Sequence, residues 1–509
     1  MIRTYPQRVL QITGIVVSVL VVIGVGTSCA WIEAAMNQDE FASIYTENCA
    51  VCHGENMEGA AQGPALVGVP LIHGQTVAEL TESIAKGFPT NGMPGWSATM
   101  EEGDIRSLAI LIAEKRVDLS DTDYKMDKDL VVPTEPLETE LATFRLETVA
   151  TGIDPYAFSI APLPNGQILI TEKKRGLSIV YPDGTQSDPI EGAPETSEEG
   201  RERWGLHYGV GWHLDVAPHP DYETNRWIYL HHTDLKESWG GYIPISMNRL
   251  VRCRITDGKW VDEEVIWSVP KTFYNANADL GAGGRIAFDP EGYVYLSVGS
   301  KDADFAEIQD LGTPYGKIHR THDDGTIPVD NPFLHLAGAQ ASIWTYGHRN
   351  PQGLEFDTKS GKLWSSEMGP RGGDEVNLLQ PGKNYGWPLT SKGVHYSGRP
   401  VEGWKELGID FDDIEQPIVD FTPAPALSSF IIYTGDAFPA WRDHFLVGSL
   451  KATELYRMEF EDDRHIRTEI LLQDLARIRD VEMGPDGLVY LLLEHEAGSQ
   501  IVRLMPVSQ

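Results

Sequence analysis

The chain has 509 residues, 41% hydrophobic and 23% charged, which is the composition of a folded protein with room for more than one domain. Its 75 acidic residues against 41 basic ones give a net charge of −34, which excludes nucleic acid as a partner, because a phosphate backbone demands a basic face. Four cysteines are too few for a disulfide-stapled scaffold.

At the start of the chain, Arg3 and Arg8 precede an uncharged run over residues 9–32 whose core, 12–25, is mostly Val, Ile, Leu and Gly. A basic flank before an apolar core marks residues 1–35 as a signal peptide or an N-terminal membrane anchor. Cleavage, retention and lipidation at Cys29 all stay open, and each places the rest of the chain outside the cytoplasm, in the periplasm or anchored to the inner membrane.

Residues 38–119 read as a small all-α domain. A short helix over 39–48 leads into Cys49-Ala-Val-Cys52-His53, the attachment motif of a c-type haem. The spacing has a chemical reason: two thiols each add to a haem vinyl group while the adjacent imidazole sits under the iron. Zinc would need further Cys or His ligands at matching spacing, and the next cysteine is Cys253. Met93, in the tight loop Gly92-Met-Pro-Gly-Trp96, is the expected sixth iron ligand, with Met100, Met57 and His73 as alternatives. Residues 99–116 then predict an amphipathic helix with Ile105, Leu108, Ala109, Leu111 and Ile112 facing inward. Motif helix, methionine loop and C-terminal helix in that order resemble a class I cytochrome c with one haem. His/Met ligation favours accepting electrons.

Residues 120–145 are charged, contain prolines and show no apolar period, so they are expected to be a linker. From 146 to 509 a pattern recurs: an alternating strand, a Gly-bearing turn and a second strand. Copies begin at Ala161, Val216, Ile286, Leu354 and Val481, with a weaker one at Asp436. Six hairpins predict an all-β six-bladed propeller, with a β-sandwich as the rival architecture. Cys253, in an alternating segment, is expected to be a core thiol.

Between Trp344 and Pro388 three clusters of Gly, Pro and polar residues crowd together: Gly347-His-Arg349-Asn350-Pro-Gln352-Gly353, Glu367-Met-Gly369-Pro370-Arg-Gly-Gly-Asp374-Glu375-Val-Asn377, and Asn384-Tyr385-Gly-Trp-Pro388. Arg349 offers a planar fork of donors to a carboxylate or an ortho-dione, and the Gly/Pro turn beside Asp374 and Glu375 suits a hard cation such as calcium.

These motifs resemble the soluble quinoprotein glucose dehydrogenases and aldose sugar dehydrogenases, the glucose/sorbosone dehydrogenase family. The resemblance implies a propeller holding pyrroloquinoline quinone (PQQ) and calcium. It implies that Arg349 acts on the quinone oxygens during catalysis and that Asn350 and Gln352 lie close by. It further implies that Lys451, Arg477 and Arg479 bind the cofactor's carboxylates. The carbonyls of Gly369 and Pro370 would hold one calcium, and Glu375 and Tyr385 would help bind another.

Two departures from the family pattern stand out. The family's general-base histidine, four positions before an arginine, falls on Gly281 in Asp279-Leu-Gly-Ala-Gly-Gly-Arg285, and the family's glutamine in Gly-Gln-Gly-Gly falls on Val210. Asp279 is the expected replacement base, with His207 and His213 as alternatives. The expectation is an exported oxidoreductase that oxidises a sugar or alcohol hydroxyl with PQQ, passes electrons to haem c and then to a respiratory acceptor. The rival is a non-catalytic propeller, a ligand-binding or docking module carrying an electron-transfer cytochrome.

Overall fold

A computed structural model describes residues 40–119, 124–203, 206–238, 240–241, 243–409 and 411–507, so the expected leader at 1–35 lies outside the described residues. Among the described residues no helix is long and apolar enough to cross a membrane. The chain forms two compact units, Met1–Arg116 with Val394–Pro400, and Val117–Gly393 with Val401–Gln509.

The smaller unit is helical. Helix α1 spans Glu40–Asn48, α2 Ala50–His53, α3 Val77–Lys86 and α4 Glu102–Arg116. Thr76 and Glu79 form a reciprocal capping box that fixes the start of α3, each satisfying a backbone N–H the helix leaves orphaned. The five apolar positions expected to face inward on α4 are all buried, but burial runs without a break from Ser107 to Glu114. The helix is enclosed because both α1 and α3 pack on it. Val394 joins the same apolar core as Phe41, Leu80, Ile84 and Leu108.

The larger unit is a six-bladed β-propeller of antiparallel sheets. The first strands of the blades are Ala157–Pro162, His213–Pro218, Gly283–Phe288, Pro351–Asp357, Leu427–Ile432 and Arg477–Met483. Each packs on the next, and the sixth packs back on the first, so they form a closed inner ring. The repeated hairpins of the sequence are the inner two strands of the successive blades, one hairpin to a blade. Cys253 is fully buried in the apolar layer between the first two blades.

Blade six is closed by strands from the other end of the domain: Thr143–Ile153 pairs with Ser499–Pro506, and Leu137–Glu138 pairs in turn with Thr143–Phe144. The expected linker of 120–145 therefore gives up its last residues to the sheet. The partners of Phe144 and Arg145, Pro506 and Met505, lie more than 350 positions away, so local composition carries no sign of that pairing.

A buried ion-pair hub pins the ring. Arg285, on the inner strand of blade three, reaches Asp480 of blade six at 2.7 Å, Asp215 of blade two at 3.4 Å and the Gln352 carbonyl of blade four at 2.7 Å. Asp480 also accepts from the Ile160 N–H of blade one at 2.8 Å, so one guanidinium and two carboxylates tie five of the six inner strands together.

Candidate functional site

In the helical unit, α2 carries Cys52 and His53, with Cys49 at its N-cap. Neither thiol is in a disulfide. The His53 Nδ1 is 2.8 Å from the Pro64 carbonyl, which fixes the tautomer and leaves Nε2 for a metal. An iron-ligating imidazole needs such a bond on its far nitrogen to hold its ring in place, so the residues fit a haem. Met93 sits in a tight loop where its N–H and C=O both bond Phe88, at 3.2 and 2.8 Å. Met57 is buried in the apolar core with a left-handed backbone, and His73 stacks on Phe88 at 4.0 Å.

In the propeller, the expected cofactor residues fall into two groups. In the turn before Pro351, Arg349 donates to the carbonyls of Met368 (3.1 Å) and Gly369 (2.7 Å) and lies over the Trp387 ring. Asn350 accepts from the Gly283 N–H at 3.1 Å and from Gln352 Nε2 at 3.0 Å, and Gln352 in turn accepts from Arg479 at 3.3 Å. Asn350, Gln352 and Arg479 are thus one hydrogen-bonded chain across blades three, four and six. Asp374 holds the loop from below, accepting from the N–H groups of Gly369 and Leu427 at 2.8 Å each. Burial raises its carboxyl to about 7, a shift that those two N–H groups and the charges of Arg349 and Lys451 oppose.

The second group is more strongly charged. Arg477 and Arg479, both buried, share the carboxylate of Glu494: Arg477 Nε is 2.9 Å from Oε2, and Arg479 reaches Oε1 at 2.6 Å and Oε2 at 3.1 Å. A third buried cation, Lys173, lies 3.7 Å from the same carboxylate. Despite its burial, the three cations hold the Glu494 carboxyl down at about 2. Burial, with repulsion from Arg479 next, pushes the Lys173 ammonium down to about 7. Sequence reading missed Lys173 and Glu494. The only signal was the run Lys173-Lys174-Arg175 at a strand end of a very acidic chain.

For calcium, the Gly369 region is a close-packed nest of backbone: a Cβ there would sit 2.2 and 2.4 Å from the carbonyl oxygens of Gly372 and Gly373. The Gly369 carbonyl itself is taken by Arg349. Glu375 stands between Glu367 and Asp420 on neighbouring strands, and burial together with repulsion from Glu367 raises it to about 8. Tyr385 spends its hydroxyl locally, donating to Leu378 at 2.6 Å and accepting from Gln380 at 2.8 Å. Among the described residues no three His, Cys, Asp or Glu groups converge as a metal cage.

Asp279 is buried, and all four of its acceptor positions are filled. Oδ2 accepts from the Gly211 N–H (2.8 Å) and Thr233 (2.6 Å), while Oδ1 accepts from Ser246 (2.8 Å) and pairs with the Lys301 ammonium. It ties the Asp279–Gly281 turn to blade two. Gly281 leaves space: a Cβ there would meet only the Lys301 backbone, at 3.6 Å and beyond. His213 is buried and bonded to the Pro194 carbonyl at 2.9 Å, and burial pushes its imidazole down to about 4. His207 is held by Glu202 at 2.8 Å.

The model of the glucose/sorbosone dehydrogenase family matches residues 154–503. The chain belongs to that family. Residues 37–112 match the model described as cytochrome c oxidase, cbb3-type, subunit III, which identifies the N-terminal unit as a cytochrome c domain. The aldose sugar dehydrogenase YliI of Escherichia coli is 34% identical over 72% of this chain and 94% of its own. The quinoprotein glucose dehydrogenase B of Acinetobacter calcoaceticus is 26% identical over 66% and 82%. The apo-form crystal structure of the E. coli aldose sugar dehydrogenase superposes with a TM-score of 0.62 at 33% identity, covering 72% of this chain and all of that one (100%). As a member of the glucose/sorbosone dehydrogenase family with a cytochrome c domain at its N-terminus, the chain is a sugar dehydrogenase-like oxidoreductase.

Proposed function

We propose that this protein is an exported quinohaemoprotein that oxidises a sugar or alcohol hydroxyl at PQQ in the propeller and passes the electrons to haem c, and from there to a respiratory acceptor. The observation that carries this reading is the buried cluster of Lys173, Arg477 and Arg479 around the single carboxylate of Glu494. Buried cations in excess of their counter-charge are costly unless an anion completes them. PQQ, when bound, supplies an ortho-quinone that accepts two electrons and three carboxylates that need cations.

In this reading Arg477, Arg479 and Lys451 hold the carboxylates, and the Asn350–Gln352–Arg479 chain orients them. Arg349, which donates to the Met368 and Gly369 carbonyls, would contact the quinone oxygens, and the carbonyls of Gly369 and Pro370 would hold calcium. Glu375 and Tyr385 belong to the second calcium site, where a cation would relieve the repulsion among Glu367, Glu375 and Asp420. His53 and Met93 ligate the iron, and Cys49 and Cys52 tether the haem. Covalent linkage of the two domains gives the haem a high effective concentration at the reduced cofactor.

In this reading the family's general-base position falls on Gly281, and Asp279 stands nearby. Asp279 would have to release one of its four donors to take the substrate proton. A second reading rests on that observation: with Gly281 and a saturated Asp279, the propeller binds a ligand without turnover and only the cytochrome moves electrons.

Haem reduction separates the two. Purified holocytochrome is mixed with PQQ, calcium and a panel of aldoses, polyols and simple alcohols. Reduction that needs both PQQ and one substrate class supports the dehydrogenase. Tight PQQ binding with no reduction by any panel member, while a chemical reductant works, favours the second reading.

A further inference from the structure

Lys173 follows the second strand of blade one, Ile168–Glu172, and lies at the seam where blade one meets blade six. It is 5% exposed, with the rings of Trp212 and Phe158 5.2 and 5.8 Å from its ammonium. The two arginines occupy the Glu494 oxygens at hydrogen-bond distance, whereas Lys173 stands at 3.7 Å, beyond that distance. Three cations therefore share one carboxylate in a buried place, and Lys173 stands farthest from its oxygens. Other titratable groups near it among the described residues are its neighbours Glu172 and Lys174, Tyr156 of blade one, His207 of the 200–209 hairpin and His213, whose N–H bonds the Lys173 carbonyl at 3.3 Å; burial pushes the phenol up and holds both imidazoles below their usual range.

We propose that Lys173 is a further anchor for a carboxylate of the anionic cofactor, and that it takes up a proton as that carboxylate arrives. The inference rests on the cofactor reading above and adds to it a residue and a pH dependence. The geometry supplies the reason. Without a ligand, a third charge beside Arg477 and Arg479 in low dielectric is disfavoured, so the amine sheds its proton near neutrality. A bound carboxylate reverses the balance and restores the ammonium. The proton comes from solvent and no bond is broken. Lysine suits this role where arginine would not, because a guanidinium stays charged throughout.

The test is calorimetric titration of PQQ, with calcium, into the full-length holocytochrome between pH 6 and 8.5, in buffers of different ionisation enthalpy. The wild type should take up about one proton per PQQ at the alkaline end and far less at pH 6, with affinity falling about tenfold per pH unit above about 7. Lys173→Arg should bind with a flat profile, and Lys173→Met should bind at least about tenfold more weakly at pH 6, also without proton uptake. Binding by the wild type with no proton uptake, and with Lys173→Met indistinguishable from it, would overturn the assignment while leaving the cofactor reading intact. No PQQ binding by the wild type at any pH would overturn the cofactor reading, and this inference with it. Because wild type and Lys173→Arg carry the proton count, the test survives a Lys173→Met variant that fails to fold.

Discussion

Replacing Gly281 by histidine tests whether an imidazole at this position speeds the proposed oxidation. Gly281 closes a short 3-10 turn, its backbone is outside the left-handed region, and an added Cβ meets only the Lys301 N at 3.6 Å and Cα at 3.8 Å, which are ordinary contacts. The substitution should therefore shift stability by no more than about 1 kcal/mol. A positioned general base contributes about 10²–10⁴ in rate, or roughly 3–5 kcal/mol of barrier. The assay is stopped-flow haem reduction by an aldose in protein loaded with PQQ and calcium. Gly281→His should gain within that range, and its rate should rise with pH through about 6.5 as the new imidazole loses its proton. A variant that folds, binds PQQ as the wild type does and reduces haem no faster would refute the reasoning: position 281 would then not be where the substrate proton is taken.

Asp279→Asn should cost about 3–5 kcal/mol in a urea titration, because it leaves the fully buried Lys301 ammonium without its counter-charge, and adding Lys301→Met should recover most of the loss. Glu494 is held at about 2 in the folded protein, below its value in the unfolded chain, so its contribution is complete above about 4.5 and is lost as pH falls from there to about 2. That contribution is on the order of 3 kcal/mol, and Glu494→Gln should remove this step from the acid-stability curve of the propeller. Met93→Ala should abolish the methionine–iron absorption band of the oxidised haem and lower its potential, whereas Met100→Ala should change neither.

What the sequence disclosed was whatever is local. The Cys49-Ala-Val-Cys52-His53 motif is legible because its residues lie within five positions, and the six hairpins because strand alternation and a Gly turn fit within about a dozen residues. The closing strand at Thr143 was not legible, since only its distant partner makes it a strand. Asp279 read as an available carboxylate; its donors Thr233, Ser246 and Lys301 come from three separate elements, and nothing near residue 279 announces them. Lys173 went unnoticed for the same reason: its partner Glu494 is far away in the chain. The arginines at 477 and 479 were singled out through motif resemblance, but the glutamate they share lies on the next strand.

The pairing of Phe144 with Pro506 gives the propeller a clasp made from its first and last strands. A nascent chain can build the first five blades as they emerge, but the ring cannot shut until its final residues have been synthesised. The cytochrome motif, 90 residues ahead of the clasp at Cys52 and His53, is by then long available for haem attachment. Maturation is thus ordered by the chain itself, with haem attachment possible before ring closure, and a loss of the last eight strand residues, Ser499–Pro506, would release the N-terminal strand as well as the C-terminal one.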